Sequence, residues 1–304
     1  MMTFSSSFED HVQPFQIEAP GLRGRLVRLG PAVDSVLTGH HYPPAIAAML
    51  AEALAMGAVL ASGLKYDGIF TLQLQGDGPV RLMVVDITSG GDMRGYARFD
   101  AERLSSASRA TEGSVPRLFG AAHMAFTVDQ GPGTERYQGI TSLEGATLGD
   151  CCHAYFRQSE QLRTAIRLCA SDMSSPDREP RAAALMIQRL PVANTLEAEE
   201  GEDDWRRAVI MMSSATPSEL LEPSLSSADI LFRLFHEDGV RIYRQRPLRH
   251  NCRCSREKVE RTLRSFPLAE LETMVEKGVL RVTCEFCKTD YLFDEPALNA
   301  LRAC

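Results

Sequence analysis

Three familiar catalytic signatures are missing from this sequence: there is no G-x-x-x-x-G-K-[ST] phosphate loop, no G-x-S-x-G nucleophile elbow and no H-E-x-x-H metal helix. The chain is therefore not expected to be an enzyme, and the glycines of QGDGP and SGGDMRG read as turn residues rather than ligand cradles. Positive charge is also in short supply. The formal net charge is -7 at pH 7, which argues against a whole-molecule nucleic-acid binder, since phosphate binding needs a net positive face. The opening MMTFSSSFEDHVQPF lacks the basic start, apolar stretch and small-residue cleavage site of an export signal, so a cytoplasmic location is expected. Only Pro43 to Leu64 has the length of a membrane span. It is rich in Ala and Gly and carries Glu52 at its middle, so a buried core helix is expected and no membrane contact.

What is present suits a globular protein. With 304 residues, 44% of them hydrophobic and 24% charged, the chain is long enough for one large domain and a small one. Ile69 to Gln75 alternates in hydrophobicity, a GDGP turn follows, and Val80 to Ile87 is strand-like, which together predict a hairpin. Further strands are predicted at Arg94 to Phe99, His123 to Val128, Arg136 to Ser142, Leu162 to Ala170 and Ala182 to Leu190, with a helix near Leu148 to Ser159. Residues 1–191 thus read as an α+β domain of helices on a largely antiparallel sheet. Leu196 to Asp204 holds six acids and no base and reads as a solvated connection. Short amphipathic helices are expected at Trp205 to Met212 and Pro217 to Leu221, and in SSADILFRLFHEDG, where a Ser cap opens the helix and a Gly ends it. The stretch 192–240 is accordingly a linker whose apolar side chains need a partner surface. Residues 241–304 form a small C-terminal domain with helices at Arg256 to Ser265 and Leu268 to Glu276.

Eight cysteines in a reducing compartment are not expected to be permanent disulfides, so their spacing decides their role. Cys252-x-Cys254, 29 intervening residues and Cys284-x-x-Cys287 present four soft donors in two close pairs, the pattern of a tetrahedral zinc site; the bland alternative is four small buried hydrophobes. A unit of about 60 residues has little core of its own, and its fold should depend on the metal. Zinc-bound thiolates stay oxidisable, and a one-residue Cys-x-Cys gap can also close into a strained, labile disulfide, which favours a sensing role over a purely structural one. A full thiolate shell leaves no open position for a substrate. Cys151, Cys152, Cys169 and Cys304 have no such spacing and are assigned no role; the first three are expected to be buried, whereas the terminal Cys304 reads as exposed. His250 lies two residues from Cys252, but four thiols already complete the shell. His236 and His123 read as packed or surface residues.

A rival reading is a zinc-ribbon nucleic-acid module, because Arg241 to Arg264 carries nine Lys or Arg and two acids. Beyond Tyr243 there is little aromatic interleaving for base stacking. That reading stays as the alternative, while several segments carry a resemblance: LQLQGDGPVRLMVVD, MRGYAR, ERYQGITSLEGATLGDCCHAYFRQSEQL, DILFRLFHEDGVRIY, CRCSREKVERTL and CEFCKTDYLF. Through them the chain resembles, over nearly its whole length, the 33 kDa chaperonin family of redox-regulated bacterial holdases. That resemblance implies that Cys252, Cys254, Cys284 and Cys287 hold zinc in a reduced, inactive protein. It further implies that oxidation forms Cys252–Cys254 and Cys284–Cys287 disulfides, releases zinc, and unfolds the C-terminal domain and linker. Exposed apolar surface would then hold unfolding client proteins without ATP, in a dimer joined through the N-terminal domain.

Overall fold

A computed structural model describes residues 8–19, 21–106, 114–131, 133–160, 162–175, 177–190 and 195–302. The first part of the chain runs β1 (His11–Ile17), β2 (Leu22–Leu29), α1 (Pro31–Thr38), α2 (Pro44–Ala61), β3 (Ile69–Gly76), β4 (Val80–Thr88), β5 (Asp92–Phe99), α3 (Ala101–Ser106) and α4 (Ser114–Phe119). It continues through β6 (Ala122–Asp129), β7 (Tyr137–Ser142), α5 (Leu148–Tyr155), β8 (Arg163–Ala170) and β9 (Ala182–Arg189). Then come α6 (Thr195–Ser214), α7 (Pro217–Leu220), α8 (Ser227–Phe235), β10 (Val240–Ile242), β11 (Arg246–Pro247) and β12 (Arg249–His250). The last elements are α9 (Arg256–Leu263), α10 (Leu268–Thr273), β13 (Val275–Glu276), β14 (Val279–Thr283), β15 (Asp290–Asp294) and α11 (Glu295–Arg302).

The fold is α+β with mostly antiparallel sheets, as the sequence pattern predicts. Sheet A has the order β10-β1-β2-β9-β8, with β11 also on β1; sheet B has the order β12-β5-β4-β3-β6-β7. The predicted hairpin is β3 and β4, in register from Ile69 opposite Thr88 to Gln75 opposite Leu82. Helix α2 lies between the two sheets and contacts both. It is apolar and long enough for a membrane span by composition, yet 14 of its 18 residues are buried inside the protein. It comes close to sheet B because Gly95 has no side chain: a Cβ there would stand 3.2 Å from Leu54 and 3.3 Å from Leu50.

Glu52 is the single charge on α2, and burial pushes its carboxyl up to about 7. Between the ordinary carboxylate range and about 7 the folded state holds a proton that the unfolded state has lost. Stability must therefore fall as pH rises through that window, by at most about 3 kcal/mol. Glu52→Gln is expected to stabilise the protein by that order at pH 8 and to flatten the slope between pH 5 and 8 in urea melts. An unchanged slope would mean that Glu52 is solvated.

Sheet A is buried on both faces, and its alternation sorts side chains between two cores. Ala182, Ala184 and Met186 of β9 face α2, whereas Ala183, Leu185 and Ile187 face the other way. That second face, with Phe15, Ile17, Leu22 and Leu26, is covered by Ala208, Met212, Leu220, Ile230, Leu231 and Phe235 from α6, α7 and α8. Capping boxes at Thr216/Glu219 and Ser226/Asp229 fix the starts of α7 and α8. The linker's apolar side thus finds its partner surface on the N-terminal sheet. The acidic run Leu196 to Asp204, expected as a solvated connection, is instead helical within α6. Acids near a helix N-terminus suit the macrodipole, and Glu202 pairs with Arg163, Arg189 and Arg206. The helix predicted to Glu276 stops at Thr273, because Lys277 and Gly278, both at positive φ, turn the chain back and pair β13 with β14.

Candidate metal centre

Residues 240–251 cross between the sheets before reaching the cysteines. β10 and β11 pair with β1, and β12 runs parallel to β5 with Arg249 opposite Asp92 and His250 opposite Met93. Asn251 N–H then donates to the Met93 carbonyl at 3.0 Å. Cys252 and Cys254 follow immediately and are held at a sheet edge rather than on a free loop. The second pair sits on a tight turn after β14. Lys288, at φ 56°, returns its N–H to the Cys284 carbonyl at 2.9 Å, while Cys284 N–H donates to the Thr289 carbonyl at 2.9 Å. Beneath the turns lies a small core of Leu263, Leu271, Leu280, Phe293 and Leu298.

All four sulfurs lie within 4.8 Å of one another, with Cys252 Sγ 3.8 Å from Cys284 Sγ and Cys254 Sγ 3.4 Å from Cys287 Sγ. A tetrahedron of Zn–S bonds of about 2.3 Å sets its sulfurs about 3.8 Å apart, so this donor set fits zinc in both chemistry and spacing. The Tyr291 hydroxyl donates to Cys254 Sγ at 3.1 Å, and Cys287 Sγ lies 3.2 Å from the Thr289 hydroxyl. Such outer contacts orient thiolate ligands. His250 is not among the clustered donors. His236 Nδ1 lies 3.1 Å from the Phe232 carbonyl on an exposed helix end, and His123 is exposed. Cys151, Cys152 and Cys169 are buried, and burial pushes each thiol up to about 12, so they stay protonated and unreactive at neutral pH. Cys304 lies outside the described residues.

Arg94 of β5 and Arg253, between Cys252 and Cys254, meet on one acid beside the site. Buried Asp86 accepts from Arg94 at 2.8 Å, from Arg253 at 2.7 Å and from the Thr71 hydroxyl at 2.7 Å. Arg94 reaches to 3.9 Å from Cys252 Sγ and stacks at 3.8 Å on the Phe286 ring, whose edge also meets Tyr96 at 4.7 Å. His40 Nε2 lies 3.0 Å from the Phe286 carbonyl, and Arg98 pairs with Glu285 at 2.7 Å. Two guanidiniums beside four thiolates offset the negative charge that such a cluster gathers on ionising. The cysteine spacing does not disclose the roles of Asp86, Arg94 and Arg253, which lie in three separate segments, LQLQGDGPVRLMVVD, MRGYAR and CRCSREKVERTL.

A family model described as Hsp33 protein matches residues 10–294. The chain belongs to the Hsp33 family. Among curated Hsp33 relatives, the 33 kDa chaperonin of Caulobacter vibrioides is 41% identical over 291 residues, covering 95% of this chain and 96% of that protein. The 33 kDa chaperonin of Nitrosococcus oceani is 35% identical over 294 residues, covering 96% and 94%. The crystal structure of the Hsp33 homolog from Thermotoga maritima matches with a TM-score of 0.77 at 21% identity, over 96% of this chain and 97% of that one. At that identity the likeness establishes the fold. Membership of the Hsp33 family makes the protein a chaperone.

Proposed function

We propose that this Hsp33-family protein is a redox-regulated, ATP-independent holdase of the cytoplasm. In the reduced state Cys252, Cys254, Cys284 and Cys287 hold zinc, which supplies the C-terminal module with folding free energy that its small core lacks. An oxidant such as peroxide or hypochlorite takes two electrons from each cysteine pair. Cys252–Cys254 and Cys284–Cys287 bonds form, the donor set is gone, and the module unfolds together with the linker. The observation that carries this reading is the second face of sheet A: Phe15, Ile17, Leu22, Leu26, Leu185 and Ile187 are buried only while the linker helices lie on them. Because β10, β11 and β12 tie the module to both sheets, loss of the module frees the end of the linker that follows α8. Both the uncovered sheet face and the released helices then offer apolar surface to unfolding clients, without catalytic chemistry.

The sheet face would also serve a homodimer of the active form. Nucleic-acid binding is the weaker reading, because Arg241, Arg249, Arg253 and Arg256 of the basic stretch are already ion-paired within the chain. In a light-scattering assay with a denatured client, the reduced, zinc-loaded protein is expected to leave aggregation unchanged. Protein treated with hypochlorite at raised temperature is expected to release one zinc and suppress aggregation. Equal suppression by both forms would sink the redox switch, and peptide mapping of the disulfides tests the pairing separately.

A further inference from the structure

Between the two sheets, at the C-terminal end of α2, lie two adjoining cavities of about 1130 and 560 Å³. They share Arg23, Arg25, Gly63, Leu64, Lys65 and Tyr66 as lining. The smaller cavity reaches inward among Phe70, Phe126, Tyr155, Phe156 and Met186, each at most 8% exposed, and its volume falls within the range of about 300 to 1,000 Å³ usual for small-molecule sites. The larger brings Arg244 and Arg246 to the same side of the molecule. Among the described residues, no carboxylate lines either cavity.

This arrangement is electrostatically uneven. Around the metal centre each arginine finds an acid, as Arg94 and Arg253 do on Asp86. Here Arg25, half-buried, donates among the described residues only to the neutral Gln188 side chain at 3.2 Å. Its guanidinium carbon lies 3.5 Å from where a Gly63 Cβ would stand, so the glycine leaves it room at the junction of the two cavities. Burial, and after it repulsion from Arg246 and Arg23, pulls the ionisation of Arg25 down. Five cations gathered without a counter-charge disfavour one another, and an anion seated among them relieves that cost. Beside the cations is a cavity that is aromatic and aliphatic, which suits no inorganic anion.

We propose that this site binds a single-chain amphipathic carboxylate of the fatty-acid type, with its head among Arg23, Arg25 and Lys65 and its tail among Phe70, Phe126 and Tyr155. The concave, inward-reaching tail cavity selects a free monomeric ligand over a membrane surface, and the cationic mouth selects a carboxylate over a neutral alcohol. Calorimetry on the reduced, zinc-loaded full chain tests it, with dodecanoate below its micellar concentration as the probe. One dodecanoate is expected per chain. Affinity should rise roughly fourfold per added methylene from hexanoate upward until the cavity is filled, and dodecanol should bind at least tenfold more weakly. Arg23 and Lys65 are exposed, so the double variant Arg23→Gln/Lys65→Gln should keep its melting temperature and lose at least tenfold in dodecanoate affinity. Equal affinity for dodecanol, a flat chain-length series, undiminished binding by the double variant, or binding to phosphatidylglycerol vesicles without binding to free dodecanoate would each overturn the proposal.

Discussion

Replacing Cys284 with Ser is expected to unfold residues 252–302 while both large sheets stay folded. Among the described residues the module has one small cluster of five buried apolar side chains, Leu263, Leu271, Leu280, Phe293 and Leu298, with Val259, Val275, Val282, Tyr291 and Ala297 partly buried against it, too few to offset the conformational entropy of some fifty ordered residues. Structural zinc contributes on the order of 10 to 16 kcal/mol in small domains of this kind, and a three-thiol site gives up much of it. The contacts to the rest of the molecule do not make up the difference. Phe286 on Tyr96 and Arg94, Arg253 on Asp86 and Arg98 on Glu285 join preformed surfaces, and they exist only if the turn carrying Cys284 and Cys287 is already shaped. Hydrogen exchange read by mass spectrometry should therefore show peptides from 252–302 exchanging within seconds in the variant, with protection of β3, β4 and β9 unchanged. Retained protection across β14 and β15 would mean that apolar packing, not metal, holds the module, and the switch would lose its physical basis. A chelator added to the reduced wild type should reproduce the variant's pattern.

How much of this was legible beforehand follows from how local each signal is. The predicted hairpin and the strands of sheet B repeat every second residue around strong turn residues, and such patterns need no knowledge of the partner strand. β1 and β2 escaped notice because Pro14 interrupts one and Arg23, Arg25 and Arg28 break up the apolar pattern of the other. They become strands through β9 and β10, which lie far away in sequence. The acidic half of α6 reads as solvated coil when charge alone is weighed, and only the distant Arg163 and Arg189 give Glu202 a reason to be fixed. The thiol cluster was legible because metal coordination constrains spacing directly. Its setting was not, since Asp86 meets Arg253 only through the parallel pairing of β12 with β5.

Arg28→Met is expected to detach the linker helices without touching the metal centre. Arg28 sits on β2, 4% exposed, on the sheet face that the linker covers. Each of its three nitrogens donates there to a main-chain carbonyl, Nε to Leu220 at 3.0 Å, one terminal nitrogen to Leu225 at 2.5 Å and the other to Glu222 at 2.5 Å. These carbonyls close α7 and the turn leading to α8, so one side chain anchors both helices. Burial pulls its ionisation down to about 10, which leaves it charged at neutral pH. Methionine fills similar space but donates nothing. Each hydrogen bond to a charged donor contributes about 1.5 to 3 kcal/mol, and part of that loss is recovered because a guanidinium no longer has to be desolvated. A net cost of about 3 to 5 kcal/mol is large against the adhesion of α6, α7 and α8, whose buried side chains among the described residues pack on this sheet face. Limited proteolysis of the variant should cut within 195–235 while zinc content stays at one per chain, and the reduced protein should then suppress client aggregation. If the linker is cut but clients still aggregate, the second face of sheet A is not the client surface, and the oxidised protein must expose its binding site elsewhere.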